Sequence, residues 1–262
     1  MRVLRVFVLG CFVLICNCSD KGGNGAGPSP EPGVTIQVVL GDLTDTVSVD
    51  GLPCDTIDGQ AAVCLSAFVR SEFIQPYIDK DSVAHDTRGL YAYRLVGDDG
   101  FNPHDNRGYD DNVWAHLDLG YYLIDEDRSV FPDENIDLPG AFNIKSLRTI
   151  RIFRKIDVVT DTATICREID DLPVVQVQNL EGQPENAAGL WLCITAPYVS
   201  EPSAHQYRLR TVDDFSPPAI TWDQLQTGYW LLNTQRTIFT APELNQGKYK
   251  VSVLEAIDLR TP

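Results

Sequence analysis

The chain has 262 residues, of which 44% are hydrophobic and 9% aromatic, so it can form a substantial core and wholesale disorder is excluded. Its 21 Lys and Arg residues are outnumbered by 37 Asp and Glu residues, which gives a net charge of -16 at pH 7. Nucleic-acid binding and electrostatic attachment to an anionic membrane both need clustered basic residues, so the composition argues against both.

The first residues have the pattern of an export signal. Two arginines precede an apolar run over residues 6–15, which is well short of the ~20 residues that a membrane-spanning helix needs. The following segment, Leu14–Asp20, resembles a bacterial lipobox, in which the cysteine after the apolar run is lipidated and becomes the mature N-terminus. We therefore predict a signal peptide over residues 1–17 and lipidation at Cys18. An ordinary cleaved signal is the alternative.

A spacer follows the predicted lipidation site. Residues 18–33 are rich in Gly, Pro and Ser and contain almost no apolar side chain, which is typical of a flexible or extended tether. Ser19 stands where an inner-membrane retention signal would have Asp, and this favours the outer membrane. The sequence thus predicts an exported lipoprotein, anchored in the outer membrane or at the periplasmic face.

The rest of the chain contains an internal repeat. Shifting the sequence by 108 positions places Trp114 on Trp222, and seven of the eighteen residues over 114–131 are then identical. Weaker matches continue on both sides, so we predict a tandem duplication with unit 1 over residues 34–156 and unit 2 over residues 157–262. No linker is expected between the units, because the segment around 150–157 serves both alignments.

Periodicity predicts that each unit is β-dominated. Alternating apolar and polar residues predict strands over 34–40, 46–49, 91–96 and 147–156, and a polar turn between 121–124 and 129–131 predicts a hairpin. In the 147–156 segment, Arg154 shares a face with Ile150, Ile152 and Ile156. Helical patterns are brief, over 65–73 and for a turn or two after Trp114. The expected fold class is α+β.

Four of the seven cysteines lie in the predicted mature domain: Cys54, Cys64, Cys166 and Cys193. An even number in an exported protein suggests disulfides, whereas a zinc site would need CxxC or Cys-His spacing, which the sequence lacks. Cys64 and Cys193 occupy equivalent positions in the repeat alignment. We therefore predict one bridge per unit, Cys54–Cys64 and Cys166–Cys193.

Several segments of unit 1 resemble the molybdopterin-binding domain of the sulfite-oxidase fold family. They are Ala62–Val69, Leu95–Phe101 and, most specifically, Leu138–Ile152, which reads LPGAFNIKSLRTIRI. The resemblance implies this family's fold, present twice in one chain. It does not carry over the cofactor, because the family's molybdenum-binding cysteine segment is missing, Cys54 is misplaced for it, and the basic pterin-phosphate anchors have no counterpart. We expect no bound cofactor.

The loop over residues 98–112 is dense in carboxylates and other oxygen ligands. Its five Asp residues are weak candidates for holding Ca²⁺: Asp98, Asp99, Asp105, Asp110 and Asp111. The spacing of a calcium-binding loop is not met, and unit 2 has no such loop. A solvated acidic turn is therefore the favoured interpretation.

Large aromatic residues are the best-retained feature of the repeat. Trp114 and Tyr122 of unit 1 align with Trp222 and Trp230 of unit 2. They predict either a shared core, which we favour, or an aromatic face that contacts a sugar, a hydrophobic ligand or a partner protein. Tyr122 and Trp230 are the best candidates for contact, since they alternate with neighbours that we assign to the core.

The sequence contains no hydrolase nucleophile motif, zinc-protease motif or phosphate-binding glycine loop, and its four His residues are scattered, so we assign no catalytic residue. The leading prediction is a lipid-anchored envelope protein that acts as a non-catalytic binding or scaffold module. Its expected partner is another envelope protein or a small ligand. Two alternatives stay open: a molybdopterin- or metal-dependent oxidoreductase or its accessory subunit, and an extracellular sugar- or protein-binding module.

Overall fold

The computed structural model describes residues 33–107, 113–132, 136, 138–194 and 199–260. The predicted signal peptide, Cys18, nearly all of the tether, Asp110 and Asp111 lie outside the described residues. The chain divides at Gly33, and residues 33–262 form one compact unit. Both predicted repeat units therefore lie within a single compact unit.

The first half of this unit runs as far as a long strand, β10. Its strands are β1 (Thr35–Leu40), β2 (Leu43–Ser48), β3 (Asp55–Ile57), β4 (Gln60–Cys64), β5 (Tyr77–Ile78), β6 (Ala84–His85), β7 (Tyr91–Gly97), β8 (Tyr121–Leu123), β9 (Arg128–Val130) and β10 (Leu147–Val159). Its helices are α1 (Pro103–Arg107) and α2 (Trp114–Leu119), and 3-10 turns span Val49–Gly51, Leu65–Phe68, Arg88–Leu90 and Gly140–Phe142.

The elements of the second half follow β10 in the chain. Its strands are β11 (Thr164–Glu168), β12 (Val174–Gln178), β13 (Pro184–Gly189), β14 (Gln206–Thr211), β15 (Ile220–Thr221), β16 (Gly228–Leu231), β17 (Arg236–Phe239) and β18 (Leu254–Arg260). Its α-helix is α3 (Trp222–Leu225), and 3-10 turns span Leu190–Cys193, Pro202–Ala204, Pro242–Leu244 and Gly247–Tyr249. No helix in the described residues is long and apolar enough to cross a membrane.

Most predicted elements are present, and the β-dominated class is confirmed. The predicted strands at 34–40, 91–96 and 147–156 correspond to β1, β7 and β10. The helix predicted over 65–73 is only the 3-10 turn Leu65–Phe68. It ends at Val69, a β-branched residue with an extended backbone (φ −87°, ψ 104°).

Eight strands form a central sheet, and each half adds a smaller antiparallel sheet. The central sheet has the order β15-β14-β18-β10-β1-β2, with β7 and β11 also paired to β10. The smaller four-stranded sheets are β3-β4-β8-β9 in the first half and β12-β13-β16-β17 in the second, and β5 pairs with β6. In each of these sheets, a pair of consecutive strands (β3-β4 or β12-β13) lies beside a second pair of consecutive strands from later in the same half (β8-β9 or β16-β17).

Corresponding hydrogen bonds recur in the two halves. Two buried hydroxyls donate to the carbonyl of an aromatic residue further along the chain, Ser129 to Phe142 at 2.6 Å and Thr237 to Tyr249 at 2.6 Å. Gly120 and Gly228 stand at matching places where an added Cβ would lie 2.5 and 2.6 Å from the rings of Phe131 and Phe239, respectively. Glycine is needed at both places because a side chain there would collide with the ring.

The strand β10 belongs to both halves. Its first part pairs with β1 and β7, and its second part pairs with β11 and β18. Alternate residues of a strand face the same side of a sheet, so Arg154 faces the same side as the isoleucines around it. Ile150 and Ile152 lie in the core of the first half, whereas Ile156 and Val158 lie in the core of the second. Arg154 therefore occupies the seam, which we define as the boundary between the two cores on this face.

The cysteines do not form the two predicted bridges in the structure. Cys54, Cys64 and Cys193 are free thiols. Cys166 lies opposite Asp157 in the β10–β11 pair, on the face of the central sheet that points away from the cores, whereas Cys193 is buried in the second core. A sheet separates these two side chains, so a bond between them would require the sheet to open.

The strand pairings bear on the alignment of Cys64 with Cys193 that the predicted bridges rest on. Cys64 pairs with Tyr121 in the first half, and the residue that pairs with the matching Tyr229 is Gly189. Cys64 therefore corresponds to Gly189 rather than to Cys193.

Candidate functional site

The side chain of Arg154 connects the backbones of the two halves. Its Nη1 donates to the carbonyls of Leu90 and Lys155, both at 2.8 Å, and its Nη2 donates to the carbonyl of Leu254 at 2.7 Å. Leu90 lies just before β7 in the first half, and Leu254 begins β18 in the second. Arg154 is 6% exposed, so these bonds are made away from solvent.

Aromatic rings, rather than a carboxylate, lie against this cation. The Arg154 Cζ atom is 5.1 Å from the ring centroid of Trp230 and 5.8 Å from that of Tyr91. Burial lowers the pKa of Arg154 to about 10, so the group stays charged at neutral pH. Among the described residues, no carboxylate forms a salt bridge with Arg154, and its Nε has no hydrogen-bond partner. The Nε atom of this buried cation thus has no acceptor.

A cavity of about 280 Å³ opens beside Arg154, and we call it the seam cleft. Its lining residues come from both halves: Leu40, Gly41, Leu43, Phe73, Tyr91, Arg154, Ile169, Asp170, Trp230, Leu232 and Gln235. Leu43, in the β1–β2 hairpin, is 60% exposed, which is unusual for a leucine beside a cavity. The cleft therefore combines an apolar wall with a few polar groups, as small-molecule sites do.

The carboxylate of Asp170 is the second ionisable group in the seam cleft. Burial raises the pKa of Asp170, while the positive charges of Arg151 and Arg154 oppose that shift. No described residue donates a hydrogen bond to this carboxylate. Asp170 is an exposed residue, so water can hydrate its carboxylate, whereas Arg154 Nε is shielded from solvent.

The aromatic residues singled out from the sequence are mostly core residues. Tyr122 is completely buried, and its hydroxyl donates to Asp127 at 2.5 Å. Trp230 is 1% exposed. Both residues therefore lie in the cores, as in the favoured interpretation of a shared core, and the neighbouring Tyr121 is only partly buried. Trp230 nevertheless lines the seam cleft through its contact with Arg154.

The two tryptophans that begin the short helices α2 and α3 also pack against core residues rather than being exposed. Trp114 is 6% exposed and lies in the first core. Trp222 is partly buried, and its ring centroid is 5.7 Å from that of Tyr207. Neither residue lines the seam cleft, so the structure does not support them as ligand contacts there.

The described acidic residues of the 98–112 loop, Asp98, Asp99 and Asp105, do not form a metal-binding group. The carboxylate of Asp99 accepts a hydrogen bond from the backbone of Phe101 at 2.9 Å, which closes a turn. Asp105 bonds to His104 at 2.9 Å, and this bond lowers the pKa of Asp105. Asp98 is held through its backbone, which donates to the carbonyl of Ser146. In the described part of the chain, no three His, Cys, Asp or Glu side chains are grouped to hold a metal ion.

A buried ion-pair network lies on the opposite face of the central sheet, and it also joins the halves. Arg94 of β7 contacts Glu168 of β11 at 2.5 Å, and both side chains are 6% exposed. Arg151 contacts the other Glu168 oxygen at 3.1 Å. Burial raises the pKa of Glu168 to about 7, in spite of the two arginines, which lower it. The network bridges the first and second halves across β10.

The position of Cys54 bears on the expectation that the family's cofactor is not carried over. A molybdenum centre would need a cysteine thiolate directed into a pocket. Cys54 is instead exposed just before β3, where its Sγ donates to the carbonyl of Asp55 at 3.5 Å. Cys54 is not among the residues that line the seam cleft.

Comparisons with known proteins give no match. No family model, no curated protein and no solved structure matches the chain.

Three residues of the site were missed as functional candidates in the sequence: Leu43, Arg154 and Asp170. Only Arg154 carried a signal, because a charged residue stood among isoleucines on the apolar face of a strand. Asp170 lies in an Ile-Asp-Asp segment that reads as an ordinary turn. Leu43 lies in a hairpin, where nothing in the sequence shows that the second half supplies the other wall of a cavity.

Proposed function

We propose that the protein is a non-catalytic binding module of the cell envelope and that the seam cleft is its binding site. The observation that carries this proposal is the composition of the cleft. It has an apolar wall with an exposed leucine, Leu43, and two charged residues, Arg154 and Asp170, among its lining. Its volume of about 280 Å³ is near the lower end of the ~300–1,000 Å³ of small-molecule sites. The cleft thus suits a small ligand.

Photolabelling tests the site. A small alkyl diazirine, activated on the purified lipoprotein, is expected to label peptides that contain Leu43 and Phe73, because they line the apolar wall. Leu43→Ser should lower this labelling about fivefold, since the substitution removes apolar area from the wall. Val174→Ser, at another exposed apolar residue (49% exposed), is the matched control and should leave it unchanged. Labelling spread evenly over exposed apolar side chains would contradict the proposal.

The envelope location rests on the N-terminal sequence. We propose that Cys18 is diacylated or triacylated and that residues 18–33 form the tether to the compact unit. Mass spectrometry of the mature protein should find lipid on Cys18 followed by Ser19. Cys18→Ser should release the protein from membranes, because a covalent lipid is the main anchor. An unmodified N-terminus near residue 18 would exclude the anchor.

The predicted duplication and the family resemblance together suggest how the protein arose. We propose that two copies of a sulfite-oxidase-type unit fused and lost the cofactor. The recurrence of the same strand order, the buried hydroxyls Ser129 and Thr237, and the paired glycines Gly120 and Gly228 support two copies. In this account the seam cleft belongs to neither copy alone and arose when the halves packed together.

A further inference from the structure

The strand β12 (Val174–Gln178) lies at the edge of the four-stranded sheet of the second half. It pairs with β13 on one side, and no described strand pairs with its other side. Such an edge presents backbone N–H and C=O groups that can bond to a further strand. We propose that this further strand is β12 of a second copy of the chain. The residues of β12 do not line the seam cleft, so this inference goes beyond the proposed function and does not depend on it.

The composition of β12 sets it apart from other edge strands of the protein. It reads VVQVQ, with no charged residue, and its first two side chains are 49% and 46% exposed. Charged residues commonly keep edge strands from pairing with another chain. Each of the edge strands β2, β3 and β17 contains one: Asp45, Asp55 and Arg236, respectively. In a chain of net charge -16, β12 is thus an edge at which two copies oppose no like charges across the strand pair.

The pairing with β13 determines which backbone groups of β12 are free. In the turn that joins the two strands, the N–H of Asn179 donates to the carbonyl of Gln183 at 2.8 Å. Hydrogen-bonded residues alternate along antiparallel strands, so the odd-numbered residues of β12 bond to β13. The even-numbered residues, with Gln176 at the centre, therefore direct their N–H and C=O groups towards the open edge.

A two-fold axis at Gln176 gives an antiparallel register in which the strand complements itself. The axis places Gln176 opposite its own copy, and a carboxamide can pair with a second carboxamide because it is both donor and acceptor. On the other face of the strand, Val175 lies opposite the second copy's Val177, which brings β-branched side chains together. The free backbone groups of the even-numbered residues bond to one another across the axis. Because β13 occupies the other side of β12, the pairing closes at a dimer.

Cysteine cross-linking in cells that express the full chain tests this register. The variants carry Cys54→Ser as well, because Cys54 is an exposed thiol. Gln176→Cys is expected to form a disulfide-linked dimer on mild oxidation, since directly opposite hydrogen-bonded residues have Cα atoms ~5.5 Å apart, within disulfide range. Gln178→Cys should form about fivefold less dimer, because the register separates its two copies by more than ~13 Å. Thr56→Cys, at the exposed centre of the edge strand β3, is the matched control and should also cross-link poorly.

Charge variants test the same contact without new thiols. Gln176→Lys and Gln176→Glu each place two like charges opposite one another, so each should weaken the dimer about tenfold in sedimentation of the purified protein in density-matched detergent. A mixture of the two variants should regain the dimer, because opposite charges then face each other across the axis. Thr56→Lys changes the net charge as Gln176→Lys does and should leave the dimer intact.

Each outcome supports or overturns the proposal. If Gln176→Cys cross-links no better than Thr56→Cys, β12 does not pair with its copy. Equal cross-linking by Gln176→Cys and Gln178→Cys would overturn the register, and capture of a different protein would overturn the assignment to a second copy. A loss of association that mixing does not restore would show that the charge acts elsewhere than across the axis. Circular dichroism of each variant verifies that it is folded.

Discussion

Arg154→Met is expected to lower the free energy of unfolding by about 4 kcal/mol. The substitution removes three hydrogen bonds, to the carbonyls of Leu90, Lys155 and Leu254, away from solvent. It also removes the contact between the guanidinium and the ring of Trp230, worth about 1 kcal/mol. Because Leu90 and Leu254 belong to different halves, the lost hydrogen bonds are those that connect the two halves. Urea unfolding followed by tryptophan fluorescence measures the change.

Two matched variants show whether the effect comes from the seam. Arg208→Met makes the same chemical change on β14, where the side chain is exposed, and should cost less than about 0.5 kcal/mol. Arg154→Lys keeps the charge but cannot reach three carbonyls at once, so an intermediate loss is expected. If Arg154→Met cost no more than Arg208→Met, the guanidinium would not hold the halves together.

Local pattern predicted the strands well because it follows backbone geometry. The alternation over 147–156 gave β10 and also placed Arg154 among core isoleucines. It could not identify the acceptors, because Leu90 and Leu254 lie 64 and 100 residues away in the chain. The seam cleft is lined by residues that are far apart in the chain, so no local periodicity of the sequence predicts it.

The sequence pattern left two features undetermined: which residues of β8 face the core, and how the two predicted units align residue by residue. The choice between Tyr121 and Tyr122 as the inward residue needs the position of β8 against its neighbours, and alternation alone allows either. The predicted cysteine pairing rests on aligning Cys193 with Cys64, whereas Cys64 ends a strand and Cys193 lies in a 3-10 turn of the second core. Residue type and spacing specify the elements, whereas partners across the sheet specify the contacts.

Arg94→Met is expected to cost about 3 kcal/mol at pH 8, because it leaves Glu168 buried with only the partly exposed Arg151 as a partner. The cost should be smaller at pH 5. The pKa of Glu168 in the folded protein is raised to about 7 from an ordinary value of 4.5, so the folded state holds its proton more tightly than the unfolded state does. The free energy of unfolding therefore falls as the pH rises from 4.5 to about 7, and the removal of Arg94 makes this fall larger.

Combining Arg94→Met with Glu168→Gln tests this cause directly. Glutamine removes the charge that Arg94 compensates, so the double variant should regain about 2 kcal/mol at pH 8 and lose most of its dependence on pH between 5 and 8. Arg88→Met is the control, because the Arg88–Asp86 pair is half-exposed and should contribute less than about 1 kcal/mol at either pH. A defect of equal size at pH 5 and pH 8 would show that Arg94 acts through packing, for example on the Phe153 ring 5.0 Å away, rather than through the charge of Glu168.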